Sequence, residues 1–219
     1  MKTTIRNIGL KEFGDLDIEC ASCNFWFDHQ VQGGFSAKNI FDYLKGKLYQ
    51  WSSSRKEKGS VDSFFRYGGK VKALFIEDEC GGIIIYGKPY LFPKIKSFNV
   101  YPPDNDSIFI GCIFVKPDYR NMAVGQRLLL SLEKDMVKKR VMALEIIGQR
   151  DTSLKEPRSL VPVKYLIKNG FYIKKNDSCW PLLRMDINSL VPDSRLEKIL
   201  RRNVVINKRV EAPGRLYNG

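Results

Sequence analysis

Arg120, Ala123 and Gly125 lie in the segment Val115-Lys116-Pro117-Asp118-Tyr119-Arg120-Asn121-Met122-Ala123-Val124-Gly125-Gln126, where residue types and spacing suit the capture of an anion. Ahead of them, Ser107 to Val115 is an apolar run of branched and aromatic residues, long enough for a buried strand and short for a helix. Pro117 stops it. Behind them, Val124, Leu128, Leu132 and Met136 recur every four residues while Glu133, Lys134, Lys138 and Lys139 fall elsewhere, the stripe of an amphipathic helix. The first turn of such a helix carries unpaired N–H groups and the positive end of the peptide dipole, so it can hold a phosphate without any particular side chain. Arg120 adds a planar positive fork, and Ala123 with Gly125 keeps bulk away from the guest. The predicted ligand is a pyrophosphate, received by residues 120 to 126: Arg120, Asn121, Met122, Ala123, Val124, Gly125 and Gln126. An ordinary strand-to-helix turn is the plainer alternative.

A second cluster with chemical potential is Cys20-Ala21-Ser22-Cys23, followed by Phe25-Trp26-Phe27-Asp28 and the chain's one histidine, His29. Cys20, Cys23 and His29 make half of a zinc site. Cys80, Cys112 and Cys179 are single, so the other half is missing and no metal is expected. A redox pair is a further reading, and buried thiols beside an aromatic cluster the favoured one.

These residues need a scaffold, and 219 residues are ample for one core. Apolar residues at 43% and charged ones at 28% describe a globular chain. No apolar run approaches the roughly 20 residues that span a bilayer. Met1-Lys2-Thr3-Thr4 leads into mixed sequence with no apolar signal core, so an intracellular, cytoplasmic protein is expected. An odd count of five cysteines does not describe a disulfide scaffold. The net charge of +13 raises nucleic acid as a partner. The basic residues are scattered, however, and a solvated basic surface explains them more simply.

In order along the chain, Thr3 to Ile8 reads as a short strand, and Gly9, Gly14 and Asp15 as turns. Residues 36 to 67 read as helical, with Ile40, Phe41, Leu44, Leu48 and Trp51 at three- and four-residue steps. Val71 to Ile76 and Gly82 to Tyr86 form an antiparallel hairpin through Glu77-Asp78-Glu79. A proline-punctuated loop, 93 to 106, precedes the central strand. Ala143 to Ile147 should pair parallel with Ile108 to Val115, the helix between them being a right-handed crossover. Gln149 to Ser159 is a polar loop, Pro162 suits a first helical turn, and Gly170 ends that helix. Phe171 to Lys174 and Leu182 to Ile187 close the sheet around Asn176-Asp177-Ser178. Arg195 to Arg215 holds seven Lys/Arg against two Glu, a basic extension.

Arg120-x-x-Ala123-x-Gly125, after a strand and a Pro-x-Tyr turn, resembles the Arg/Gln-x-x-Gly-x-Gly/Ala signature of the N-acetyltransferase (GNAT) superfamily. Tyr165-Leu166-Ile167-Lys168-Asn169-Gly170-Phe171 is similar to that family's second hallmark, a helix ending in Gly-Phe. The likeness covers roughly residues 70 to 187. Cys20-x-x-Cys23-x-x-Trp26 resembles a segment that some members carry ahead of the catalytic domain. The resemblance implies an α+β sandwich: a mixed, mostly antiparallel sheet whose central parallel strands splay into a V, with helices on both faces. It implies one acetyltransferase domain over 1–190, with 1–35 an N-terminal Cys-x-x-Cys segment and 191–219 a basic extension.

The resemblance also implies acetyl-CoA as cosubstrate, its pantetheine arm pairing with the backbone of Ile113, Phe114 and Val115 and its acetyl carbonyl ending near Gly111 to Ile113. Trp51, Phe64 and Phe65 would then line an acceptor slot. The reaction is acetyl transfer to a small-molecule or peptide amine, which needs a base for the amine proton and an acid for the leaving thiolate. The family's acid is a tyrosine four residues before the Gly of Gly-Phe, where this chain has Leu166. Tyr165 stands one place earlier, about 100° around the helix, and Ser159 replaces a frequent Asn. Tyr165 is the candidate acid and Glu145 the candidate base. The alternatives are an acyl-CoA-binding module without turnover, favoured by Leu166, and a basic protein that binds or modifies nucleic acid. A monomer and a homodimer are equally open.

Overall fold

In the computed structural model of the chain, residues 2–27, 61–150 and 160–187 are described. All of them fall in one compact unit, Met1–Ile187. The elements run β1 (Thr3–Ile8), α1 (Leu10–Gly14), α2 (Val61–Arg66), β2 (Lys70–Ile76), β3 (Glu79–Gly87), β4 (Ser107–Val115), α3 (Val124–Lys138), β5 (Ala143–Gln149), β6 (Val161–Pro162), α4 (Val163–Lys168), β7 (Tyr172–Lys175) and β8 (Leu182–Asp186).

The strands join in one sheet, ordered β1-β2-β3-β4-β5-β8-β7, with β6 beside β5. Antiparallel pairing dominates, and β4–β5 forms the central parallel pair. This is the expected mixed sheet. Alternation along the strands sends side chains to two cores. Ile84, Tyr86, Ile110, Leu144, Leu183 and Met185 pack under α3 and α4, and Ile83, Ile85, Phe109, Ile147 and Leu182 face the side covered by α1 and α2.

The apolar stripe of α3 is buried as its period predicts, with Gly125 and Leu129 added to Val124, Leu128, Leu132 and Met136. The β2–β3 hairpin is longer than its apolar runs suggest. Glu77 and Asp78 both take positive φ, at 48° and 75°, the pair of left-handed residues a type I′ turn requires, so pairing continues to Ile76↔Glu79. Gly9 and Asp15, read as turns, cap a short helix, Leu10–Gly14, that takes in Gly14. Pro162 is a strand residue just ahead of α4 and not part of its first turn. Of the helical reading over 36 to 67, only α2 lies among the described residues; Trp51 lies outside them, as do His29, Ser159 and the basic tail.

Phe64 is 2% exposed and packs on Phe27, Phe65 and Phe92, and Phe65 packs on Phe13. Phe64 belongs to the aromatic core of the sheet's second face, and the partly buried Phe65 packs against it. The loop from 93 to 106 contributes Ile95, Phe98 and Val100 to the same core.

Candidate active site

The parallel pair that should position the chemistry is short. β4 and β5 are registered only at Ser107↔Ala143, Ile108↔Leu144 and Phe109↔Glu145. Beyond Phe109, β4 stays with β3 as far as Gly82↔Val115, while β5 continues beside β8 and ends beside β6 at Gly148↔Val161 and Gln149↔Pro162. The two strands therefore open into the expected V. On the β3 side, the Lys116 N–H donates to the Gly81 carbonyl at 3.0 Å, and a Cβ built on Gly82 would meet the Phe114 carbonyl at 2.6 Å. Peptide groups alternate sides along an antiparallel strand, so if Phe114 and Lys116 address β3, the N–H and C=O groups of Ile113 and Val115 address the V. Ile113, Phe114 and Val115 are each half-buried.

The register between β3 and β4 slips once, from Ile85↔Cys112 to Tyr86↔Ile110, so Gly111 is an extra residue on β4. Such a bulge bends the strand and re-aims its neighbours. A Cβ at Gly111 would lie 2.5 Å from Phe92 and 3.3 Å from Trp26. The aromatic core thus closes directly over this backbone, and only glycine fits.

Past Val115, a 3-10 turn (Pro117–Tyr119) leads to the N-terminus of α3. Arg120 is extended and exposed. Asn121 and Ala123 are left-handed, at φ 63° and 57°, and Ala123 caps the helix without a side-chain hydrogen bond. The first helical N–H to find an intrahelical partner is that of Arg127, on the Ala123 carbonyl at 2.9 Å. The amides of Val124, Gly125 and Gln126 are the bare ones that the phosphate reading needs. An L-residue in the left-handed region is strained by about 1 kcal/mol, so Ala123→Gly is expected to raise stability by up to that amount. A denaturant melt with a lower midpoint would show that Ala123 contributes contacts outweighing its backbone strain.

A Cβ on Gly125 would lie 2.8 Å from the Tyr165 hydroxyl, 3.3 Å from Val115 and 3.6 Å from Ile113. Gly125 is thus where helix, open strand and α4 converge, and Tyr165 reaches it. The 100° offset does not turn Tyr165 away: it turns Leu166, fully buried, into the core against Gly148, leaving its neighbour facing the V. The Tyr165 hydroxyl is buried without a hydrogen-bond partner, and burial pushes its pKa up to about 12, so it keeps its proton through the neutral range.

Glu145 sits at the closed end of the V and is 0% exposed. Its carboxylate accepts hydrogen bonds from the Asp104 N–H at 2.8 Å, Ser107 Oγ at 3.0 Å, Lys174 Nζ at 2.7 Å and Arg184 at 3.3 Å. Arg184 also binds Asp106 and Asp186 and holds both carboxyls below their ordinary range. A base must meet the substrate's proton, and Glu145 is committed instead to cross-linking β4, β5, β7 and β8. The residue pattern around Glu145 gives no sign of these partners, which come from three distant stretches, at 104–107, 174 and 184.

On the other face, a cavity of about 600 Å³ opens between residues 14–22 and the end of β4, with Leu16, Asp17, Ile18, Glu19, Phe114 and Lys116 among its walls. Among the described residues no group of three or more His, Cys, Asp or Glu could hold a metal ion, so Cys20 and Cys23 build no such site there. Nor is any described helix long and apolar enough to cross a membrane.

The model of the acetyltransferase (GNAT) family matches residues 43–155, over half of the chain. No curated protein matches the sequence significantly. Among solved structures, the PaiA N-acetyltransferase from Thermoplasma acidophilum in complex with coenzyme A is similar over 85% of this chain and 99% of its own, at 16% identity and TM-score 0.50. An N-acetyltransferase from Staphylococcus aureus Mu50 is similar over 86% of this chain and 100% of its own, at 13% identity and TM-score 0.49.

Proposed function

Because this chain belongs to the acetyltransferase (GNAT) family, we propose that it transfers an acetyl group from acetyl-CoA directly to an amine of a small molecule or peptide. The observation that carries the proposal is the V, open from Phe109 onward and edged by the peptide groups of Ile113 and Val115. Those groups would pair with the amides of the pantetheine arm as an added strand does. The bare amides of Val124, Gly125 and Gln126 would receive the pyrophosphate, with the Arg120 fork beside them. The residues fit such a guest: Gly125 leaves a hollow that a Cβ would fill, and the hydroxyl above it lacks a partner.

Acetyl-CoA supplies a thioester-activated acetyl group. Peptide N–H groups of β4 beside the Gly111 bulge would steady the negative charge that develops on the carbonyl oxygen. Tyr165 would donate its hydroxyl hydrogen to the departing sulfur. Glu145 is left out of the chemistry. Asp17 and Glu19 in the cavity wall would draw the ammonium form of the acceptor, and its proton would pass to solvent through the open cavity before attack.

Thiol release from acetyl-CoA with a panel of primary amines tests the reaction, and at least one amine should be consumed stoichiometrically. Tight CoA binding with no release for any amine would favour an acyl-CoA-binding module, as Leu166 at the family's tyrosine position allows. Tyr165→Phe should lower kcat about 100-fold and leave the KM for acetyl-CoA within a few-fold. Removing a buried hydroxyl that has no partner relieves a desolvation cost of order 1 kcal/mol, so the ligand-free variant should melt no lower than the parent. A kcat loss under about threefold would return Tyr165 to a packing role.

A further inference from the structure

Cys20 and Cys112 are far apart in sequence, by 92 positions, yet their sulfurs lie 3.8 Å apart in the core of the sheet's second face. Cys20 belongs to the 3-10 turn Glu19–Ser22, part of which lines the cavity beside Phe114. Cys112 follows the Gly111 bulge on β4. The Cys-x-x-Cys segment thus presents its first thiol to the central strand, and no disulfide joins any of the five cysteines.

We propose that Cys20 and Cys112 are a thiol-oxidation site, closing to a disulfide that fastens the N-terminal segment to β4 in response to a hydroperoxide. Closure needs each sulfur to move by about 0.9 Å, since a disulfide bond is about 2 Å long. Cys20 is 8% exposed and Cys112 4%, so a small hydroperoxide reaches Cys20 first. The Cys20 thiolate attacks the peroxide, whose O–O bond breaks; the sulfur becomes a sulfenic acid, and the other oxygen leaves as water or an alcohol. The Cys112 sulfur then attacks that sulfur, the S–O bond breaks, and the Cys112 proton leaves with the departing hydroxide as water. Two thiols lose two hydrogens and one peroxide is reduced. The hydrogen bond with Cys20 and burial push the Cys112 thiol well up, and the burial of both sulfurs keeps bulky reagents and disulfides away from the pair.

The test is peptide mapping of the full chain after brief hydrogen peroxide treatment, alkylation in denaturant and digestion. The expected product is a Cys20–Cys112 cross-linked peptide pair, with Cys23 still alkylated and a Tm about 10 °C higher because a long loop is closed. Cys20→Ser and Cys112→Ser should each abolish the cross-link and the shift, while Cys23→Ser keeps both. A Cys20–Cys23 linkage, or full alkylation of Cys20 and Cys112 after treatment, would overturn the proposal. None of these readouts uses acetyl transfer, so they stand or fall apart from the enzymatic reading.

Discussion

Gly125→Asp should abolish CoA binding, weakening it at least about 100-fold in calorimetry, while the protein keeps a cooperative melt. Two effects act together. The added Cβ falls 2.8 Å from the Tyr165 hydroxyl and 3.3 Å from Val115, filling the space between helix and open strand. The added carboxylate then faces the proposed pyrophosphate across a site whose attraction rests on partial positive charge. The steric part displaces mainly the far end of one side chain, so the fold should survive. Gly125→Ala separates the two effects: it carries the methyl without the charge and should weaken binding about tenfold or less. Unchanged affinity in Gly125→Asp would remove the pyrophosphate from this helix terminus.

The second large effect falls on stability. Glu145→Ala should lower the unfolding free energy by about 3 kcal/mol, read from denaturant melts. The substitution removes the buried acceptor shared by Lys174, Arg184, Ser107 Oγ and the Asp104 N–H. Asp104, Asp106 and Asp186 remain on the two cations, which keeps the loss at the lower end of what broken buried ion pairs cost. Below the melt, the variant should bind CoA as the parent does. A catalytic base would behave in the opposite way, losing turnover with little change in stability. A variant as stable as the parent but without turnover would reinstate Glu145 as the base.

These contrasts mark what the residues of the chain disclose by themselves. The strand at Ser107–Val115 and the helix after it were legible because both signals are local: a continuous apolar run and a four-residue period that burial follows residue by residue. The turn between them was legible for the same reason, since Pro117 and the start of the apolar period mark it without a distant partner. Gly111 was not, because a bulge is a property of two strands, and its register is set by Ile85 and Tyr86. The role of Glu145 depended on Asp104, Lys174 and Arg184, from three other segments. Tyr165 lay between the two cases. Its 100° offset from the family's position counted against it in isolation, yet the swap of Tyr and Leu leaves an aromatic hydroxyl over Gly125, because Leu166 takes the inward place. The Cys20–Cys112 contact, like the cavity near Phe114, exists only where the segment around residues 14–22 lies against β4.

Amide chemical shifts followed by NMR as CoA is titrated into the uniformly labelled protein test the central idea most directly. The largest changes should fall on the amides of Ile113, Val115, Val124, Gly125 and Gln126, with smaller ones at Tyr165. Changes confined to other surfaces, or none at saturating CoA, would contradict a nucleotide-tailed thioester lying in the opening between β4 and β5.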